Sequence, residues 1–454
     1  EDVEEILRHE NPEGIITCFS GQSGITIRSN LEHDQYTSKY QFLGVPKEIL
    51  DLTEDREQFD LVLDEFDISK TKTLSIKGPE KLKAAMKEIG LPVMVRPSFV
   101  IGGESMFIFH HYEEVDDMNP LVRDSLEKEN ATLMVENYLE GATEYDVDLV
   151  RDKFGNTQFT ICEHIEYAGV HSGDSGMVTP PILLTERLLG KVKKLSVAIA
   201  EKLGVVGPLN IQFAIMDQKI FCIEANPRGS RTLPFLSKAF DIDLPRMATK
   251  ALLGETINPK VIDHNGYFCV KQSTFPFDRF PQDDIILGPK MRSTGETMGI
   301  DYDKDTAILK SYLGNYPNLV KKKKILMSLN DANKPIVLPY LKGLIKADYE
   351  LYATYATEKF ISRLGIPCTR VAKVTEKTGL NLLDLIKDPE LCMVFNTPYN
   401  KGRVKSDGEK IRNASIQYAV PCFTRAENIK SVMEALLLSG NTHPEPVSLQ
   451  ELTN

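Results

Sequence analysis

The stretch "NIQFAIMDQKIFCIEANPRGSRT", residues 210–232, decides how this chain is read. Two apolar runs flank Asp217-Gln218-Lys219, the pattern of a β-hairpin. Side chains alternate along a strand, so Asn210, Gln212 and Ala214 share one face, and Cys222, Glu224 and Asn226 share one on the partner. A three-residue loop puts Gln212 directly opposite Glu224. Three hard oxygen donors, Gln212, Glu224 and Asn226, then converge, while Ile211, Phe213 and Ile223 pack the other side. Such a set suits Mg2+ bridging phosphates better than Zn2+. Arg228 and Arg231 follow at once and would face phosphoryl oxygens that the metal leaves unneutralised. The plainer alternative is an exposed hairpin with a surface salt bridge, but it gives no role to Gln212 on the paired strand.

Four further stretches add to this constellation. "VRPSFVIGGESM" (95–106) sets Arg96 at the end of a strand before the Gly102-Gly103 turn, whose amides can fold over phosphates. "TEDREQF" (53–59) places Arg56 on a helix after a Thr53 cap, as a third phosphate contact or a solvated arginine. "ENYLEGATEYDVDLV" (136–150) offers Glu136, Leu139 and Glu144 to an adenine edge and ribose, or else is an edge hairpin with acidic solvent positions. "CEHIEYAGVHSGDSGM" (162–177) is the densest polar segment, with His164, Glu166, His171, Ser172, Asp174 and Ser175. Its glycines Gly169 and Gly173 make it a loop, and polar density in a loop points to function.

The 454 residues, 42% hydrophobic and 26% charged, make two or three domains with buried cores. A formal charge of −11 argues against non-specific nucleic-acid or membrane binding, so anion recognition must be local. Seven scattered cysteines, none in a CxxC, fit a reducing cytoplasm and neither disulfides nor zinc. The chain opens on Glu1 within a helical pattern, which suggests a fragment whose native N-terminal elements are missing. Residues 1–48 read as a partial α/β domain and 49–300 as an α+β sheet domain. Within the latter, strands are expected at 132–139, 144–151, 157–163, 209–215 and 219–224, and helices near 115–128, 184–203 and 243–253. A linker at 301–320 leads to a small parallel α/β domain, 321–454, of alternating short strands and helices. Lys321–Lys324 reads as a solvated lead into its first strand.

Together these strings resemble the ATP-grasp fold, and more narrowly the large subunit of the carbamoyl-phosphate synthetase family. "RPSFVIGGESM", "EHIEYAGVHSGDS" and "LGPKMRSTGETMG" resemble the second of that family's two ATP-grasp halves, which phosphorylates carbamate. The segment after 320 resembles its methylglyoxal-synthase-like regulatory domain. The resemblance implies phosphate contacts from Arg56 and Arg96 and adenosine contacts from Asn137, Leu139 and Glu144. It implies that Gly169, Val170, His171 and Ser172 line the nucleotide and the intermediate. Gln212, Glu224 and Asn226 become ligands of Mg2+ or Mn2+, while Arg228 and Arg231 hold the phosphoryl group or carbamate. Glu144, His164, Glu166 and Ser175 match a potassium site, and Thr354, Thr357, Lys373, Asn396 and Thr397 match effector contacts. The implied partners are ATP, carbamate, the first synthetase half and a glutaminase subunit. The implied product, carbamoyl phosphate, serves pyrimidine and arginine synthesis. Self-association of the chain is left open.

Two departures stand out. "FSGQSGITIRSNLEHDQYTSKYQ" puts polar residues where the family has an apolar helix. The effector loop Thr-x-Gly-Thr becomes Thr354-Tyr355-Ala356-Thr357, which adds a Cβ where backbone approaches phosphate. Alternatives remain another ATP-grasp carboxylate–amine ligase, and a nucleotide-binding regulatory module without turnover.

Overall fold

The computed structural model describes residues 2–31, 40–97, 106–116, 132–262, 264–280, 284–372, 376, 379–398, 407–438, 444–449 and 451. Its centre is a seven-stranded antiparallel sheet. The strand order is Lys219–Asn226, Gly207–Met216, Thr143–Arg151, Thr157–Tyr167, Met177–Thr179, Phe268–Thr274, Gly295–Asp301. Ile211, Phe213, Val147 and Leu149 project from one face onto the helices Lys47–Glu54, Arg56–Leu63 and Glu186–Lys202. The long helix starts where Thr185 Oγ1 accepts the Leu188 amide, satisfying one of its orphan donors. A second four-stranded antiparallel sheet, Thr73–Lys77, Thr132–Asn137, Val93–Pro97, Phe107–Phe109, packs Val93, Val95, Leu133 and Val135 on the helix Leu82–Ile89. That helix ends at Gly90, whose φ of 93° suits a residue without a Cβ. The expected helix at 115–128 and the Gly102-Gly103 turn lie outside the described residues.

The 301–320 stretch, expected as a linker, contains the helix Lys304–Asn315. Ala307, Ile308, Leu309 and Tyr312 pack into one cluster with Val178 and Val270 of the large sheet and Val432 and Met433 of the helix Ala426–Leu438. The helix is therefore part of the interface between the two halves. Beyond it lies a five-stranded parallel sheet, ordered Thr369–Val371, Glu350–Thr354, Lys324–Ser328, Leu391–Asn396, Cys422–Phe423. Its order reverses between Lys324–Ser328 and Leu391–Asn396, the arrangement that opens a crevice at the carboxyl ends of the strands. In the lysine run, Lys324 pairs with Asp388 at 2.7 Å and Lys323 lies over the Tyr349 ring, so these two are anchored. At the N-terminus, Gly14–Ile16 and Gln41–Leu43 form a two-stranded parallel sheet, and Gly21–Leu31, within the polar string, is a helix. No helix is long and apolar enough to cross a membrane among the described residues.

Candidate functional site

The hairpin forms, and Gln212 stands opposite Glu224 with Asn210 opposite Asn226. The route differs from the expected three-residue loop. Met216 pairs with Lys219, leaving the two-residue turn Asp217-Gln218, both residues at positive φ (51° and 64°). Such a turn matches the right-handed twist of the strands. It alone would put Ile223 opposite Gln212, but a bulge after Phe213↔Cys222 inserts Ile223 and restores Glu224 to that place. The bulge also exchanges faces. Cys222 sits in the core with Phe213, while Ile223 packs with Leu139, Ala168 and Ala214, the reverse of the strict alternation read from sequence.

Arg56 explains how the bulge is held. Its Nη1 donates to the Ile223 carbonyl at 2.6 Å and to the Cys222 carbonyl at 3.4 Å, and its Nε lies 3.2 Å from Asp60. At the bulge the guanidinium thus supplies these two carbonyls with a hydrogen-bond donor. Asp55, not Thr53, caps the Arg56 helix, accepting the Glu57 and Gln58 amides.

Behind the hairpin the next strands pool acidic groups. Gln212 Nε2 donates to Glu144 Oε2 at 2.9 Å, which leaves the amide oxygen of Gln212 as its acceptor. His164, fully buried, lies 3.3 Å from Glu144 and 3.6 Å from Asp146. Burial opposes its charging, but these two carboxylates outweigh burial and raise its pKa to about 9. Asp148 is pushed up to about 6 by burial and by Asp146, while Ser230, Thr232 and Asn210 hold it in the other direction. Ser230 Oγ donates to Asp148 at 2.6 Å, and Thr232 Oγ1 bonds its second oxygen, so the arginine turn is tied to the sheet floor. Asp146, Asp148 and Ser230 were not singled out from sequence, although "YDVDLV" alternates acidic and apolar residues and so carried the signal.

The arginines leave the hairpin on a tight turn, with the Arg228 amide donating to the Asn226 carbonyl at 2.7 Å. Asn226 Nδ2 donates to Glu224 Oε1 at 2.8 Å. Arg231 Nη1 donates to the Ser293 carbonyl at 3.1 Å and to its hydroxyl at 2.9 Å. Facing them is the loop after Tyr167. Gly169 has a φ of 102°, and a Cβ there would collide with the Tyr138 hydroxyl. Val170 is buried beside it. The His171 amide donates to the Gly288 carbonyl at 2.9 Å, and its ring accepts the Gly173 amide at 3.0 Å. Burial holds the His171 pKa below its usual value, against the pull of Glu224, Asp174 and Asp146 and with that of Arg228. Lys271, fully buried, donates to the Ser172 carbonyl at 3.4 Å, and burial lowers its pKa.

Other expected residues are placed elsewhere. Arg96 forks onto Glu136 Oε1 at 3.0 and 2.7 Å within the four-stranded sheet, on whose last strand residue Asn137 lies. Leu139 is buried against Ala214 and Phe221 under the hairpin. Of the four residues matched to potassium, Glu144 and His164 are neighbours. Glu166 instead accepts the Gly176 amide at 2.8 Å and Asn428 Nδ2 at 2.6 Å, toward a cavity of about 330 Å3 between the two halves. Ser175 Oγ is buried without a hydrogen-bond partner among the described residues. In the parallel sheet, Thr357 Oγ1 accepts the Leu329 amide at 3.1 Å and Thr397 Oγ1 the Asn330 amide at 2.9 Å. Thr354 bonds Ser328 at 3.3 Å and Asn396 accepts from Arg412 at 2.9 Å. Lys373 lies outside the described residues.

A large antiparallel sheet bearing this polar face, beside a smaller antiparallel sheet, defines the ATP-grasp class. A family profile described as "Carbamoyl-phosphate synthase L chain, ATP binding domain" matches residues 55–260, and one described as "MGS-like domain" matches 337–424. The "Carbamoyl phosphate synthase large chain, C-terminal section" of Methanopyrus kandleri is 36% identical over 480 residues, covering 100% of this chain and 87% of that protein. The carbamoyl phosphate synthase large chain of Gemmatimonas aurantiaca is 35% identical, covering 99% of this chain but 41% of that protein. The biotin carboxylase of Campylobacter jejuni, solved as a β,γ-ATP complex, shares the fold at a TM-score of 0.53 and 16% identity, over 68% of this chain and 75% of that one. This chain belongs to the carbamoyl phosphate synthase large-chain family. It spans about two fifths of the length of the full large chains it matches.

Proposed function

We propose that this chain transfers the γ-phosphoryl group of ATP to carbamate, giving carbamoyl phosphate and ADP. The observation that carries this reading is the bulge-set register placing Glu224 against Gln212, with Asn226 bonded to Glu224 and two arginines directly after it. The donors fit a hard divalent cation. Gln212 keeps only its oxygen to offer and Glu224 supplies charge, while Asp146, across the sheet from Gln212, pairs with His164 at 3.6 Å. Gln212, Glu224 and Asn226 would hold Mg2+, which when bound neutralises phosphate charge and orients the polyphosphate.

The chain's own residues do the rest. A carbamate oxygen lone pair forms the new O–P bond as the bond from Pγ to the β-phosphate oxygen breaks, its electron pair leaving on ADP. The nucleophile is already anionic, so no proton moves and no general base is needed. Arg228 and Arg231 bind equatorial oxygens and carbamate, and His171, whose Nδ1 accepts the Gly173 amide and whose pKa burial lowers, donates from Nε2 without adding charge. Carbamate decomposes in water, so in this reading the site excludes water during transfer. Carbamate is delivered by the first synthetase half, supplied with ammonia by a glutaminase partner.

The test is the reverse reaction. Mg-ADP with carbamoyl phosphate should yield ATP, and Glu224→Ala should abolish it. No ATP from carbamoyl phosphate, with another carboxylate supporting ADP release, overturns the choice of substrate.

A further inference from the structure

The loop between Asp284 and Thr294 contains most of the string "LGPKMRSTGETMG", and no step of the proposed reaction uses it directly. It nevertheless touches both sides of the candidate site. Its Gly288 carbonyl accepts the His171 amide at 2.9 Å. The Arg292 and Ser293 amides donate to the Asp174 carboxylate at 2.8–3.0 Å, and Ser293 Oγ donates to the Gly173 carbonyl at 2.8 Å. The carbonyl and hydroxyl of the same Ser293 receive Arg231 Nη1. One short segment thus fixes the nucleotide-side loop and one phosphoryl-side arginine together.

Its far end is held from the C-terminal domain. Arg412, on the helix Asp407–Gln417, donates from Nε to Asp284 Oδ1 at 2.6 Å and from Nη2 to Oδ2 at 2.5 Å. Its third contact, Nη1 to Asn396 Oδ1 at 2.9 Å, reaches the carboxyl end of the parallel strand Leu391–Asn396. The Arg412 side chain is 5% exposed, and a forked arginine in such a place has one geometry rather than many. Arg292 Nη1 bonds the Asp284 carbonyl, closing the segment on itself.

We propose that Arg412 is a positioning residue for phosphoryl transfer: through Asp284 it holds the 284–294 segment as a strap that sets Arg231 and the His171 loop. This rests on the phosphoryl-transfer reading above. A guanidinium displaced by about 1 Å can cost up to roughly a hundredfold in rate, so loosening an anchor one remove away fits a loss of roughly tenfold.

Two measurements on the full chain test it, with Arg412→Gln, Asp284→Asn and the double variant. In ATP formation from Mg-ADP and carbamoyl phosphate, each single variant should lose roughly tenfold in kcat with KM for Mg-ADP within about twofold, and the double variant should lose no more than either. Hydrogen–deuterium exchange should accelerate in peptides spanning 284–294 and 169–176 in all three. Wild-type kinetics with unchanged exchange overturns the strap. So does a loss that multiplies in the double variant. An inactive wild type in which Arg412→Gln still accelerates exchange would sink the phosphoryl-transfer reading and leave the strap standing.

Discussion

The hairpin site and the carboxyl edge of the parallel sheet both gather polar side chains, but by different geometry. In the large sheet the candidate ligands stand on strands, pooled by antiparallel register: Gln212 lies between Glu224 on one side and Asp146 on the other. In the parallel sheet they stand at or just past the carboxyl ends of strands, as Thr354, Asn396 and Thr397 do, and on the helix that follows one of them, as Thr357 does. The two arrangements spend their hydrogen bonds differently. Gln212 donates from its amide nitrogen and so has its oxygen to offer, whereas Thr357 and Thr397 already accept loop amides of the neighbouring connection. On the proposed reading the first region receives a cation, whereas in the second these two hydroxyls are already engaged.

The sharpest break of that contrast is Glu224→Ala. It removes the one carboxylate the hairpin offers to the cation, and ATP formation should fall by more than about a thousandfold. Thermal stability should change little, because a half-exposed carboxylate bonded to Asn226 contributes little to folding. A variant retaining a tenth of the rate would mean that the hairpin does not carry the chemistry.

Arg56→Lys should cost less, roughly ten- to a hundredfold, and should show how. A lysine cannot fork onto the Ile223 and Cys222 carbonyls while pairing with Asp60. If Arg56 acts on the bulge, the Mg2+ concentration for half-maximal rate rises while metal-free ADP binding is unchanged. Loss of metal-free ADP binding would restore the direct phosphate contact that the family resemblance implies.

Arg56 also marks the limit of what sequence conveys. Alternation made the hairpin legible, and Gln212 opposite Glu224 was read correctly through a loop of the wrong length. Parity was readable, but whether the odd residue sits in the turn or in a bulge depends on which carbonyls a distant guanidinium can reach. For the same reason Ile223 and Cys222 exchanged faces. The parallel domain, whose apolar strands and helices alternate cleanly, was legible at once, and its first strand, Lys324–Ser328, starts at the end of the lysine run read as its lead. The helix Lys304–Asn315 was not, because its buried residues include Asp305, Ser311 and Tyr312 beside its apolar ones, which blurs its period. Contacts between halves, such as Arg412 with Asp284, have no local signature at all.

His164 gives a titration that distinguishes the buried acidic pool from the parallel sheet. Its pKa in the fold, about 9, stands above the ordinary 6.5, so its stabilising effect is complete below pH 6.5 and is lost as pH rises through 9. The loss should be on the order of 3 kcal/mol across that window. Asp148 acts in the same direction at lower pH, between 3.8 and about 6. His164→Gln should lower stability at pH 6.5 and flatten the slope between 6.5 and 9. An unchanged slope would show that His164 is neutral in the fold and that Glu144 and Asp146 are balanced by another cation.

The smallest effect expected belongs to the parallel sheet. Thr357→Val keeps shape but removes a hydroxyl, 1% exposed as a residue, that accepts the Leu329 amide and bonds its carbonyl at 3.4 Å. Leaving that amide without its acceptor should cost about 1–3 kcal/mol, read as a lower denaturation midpoint with an unchanged m-value. ATP formation at 25 °C should stay within about twofold, because Thr357 belongs to neither the strap nor the hairpin. A kinetic loss exceeding the stability loss would mean that the closed edge is coupled to the open site by a second route besides Arg412. The hairpin site and the threonine edge would then be coupled parts of one unit, not two separate regions.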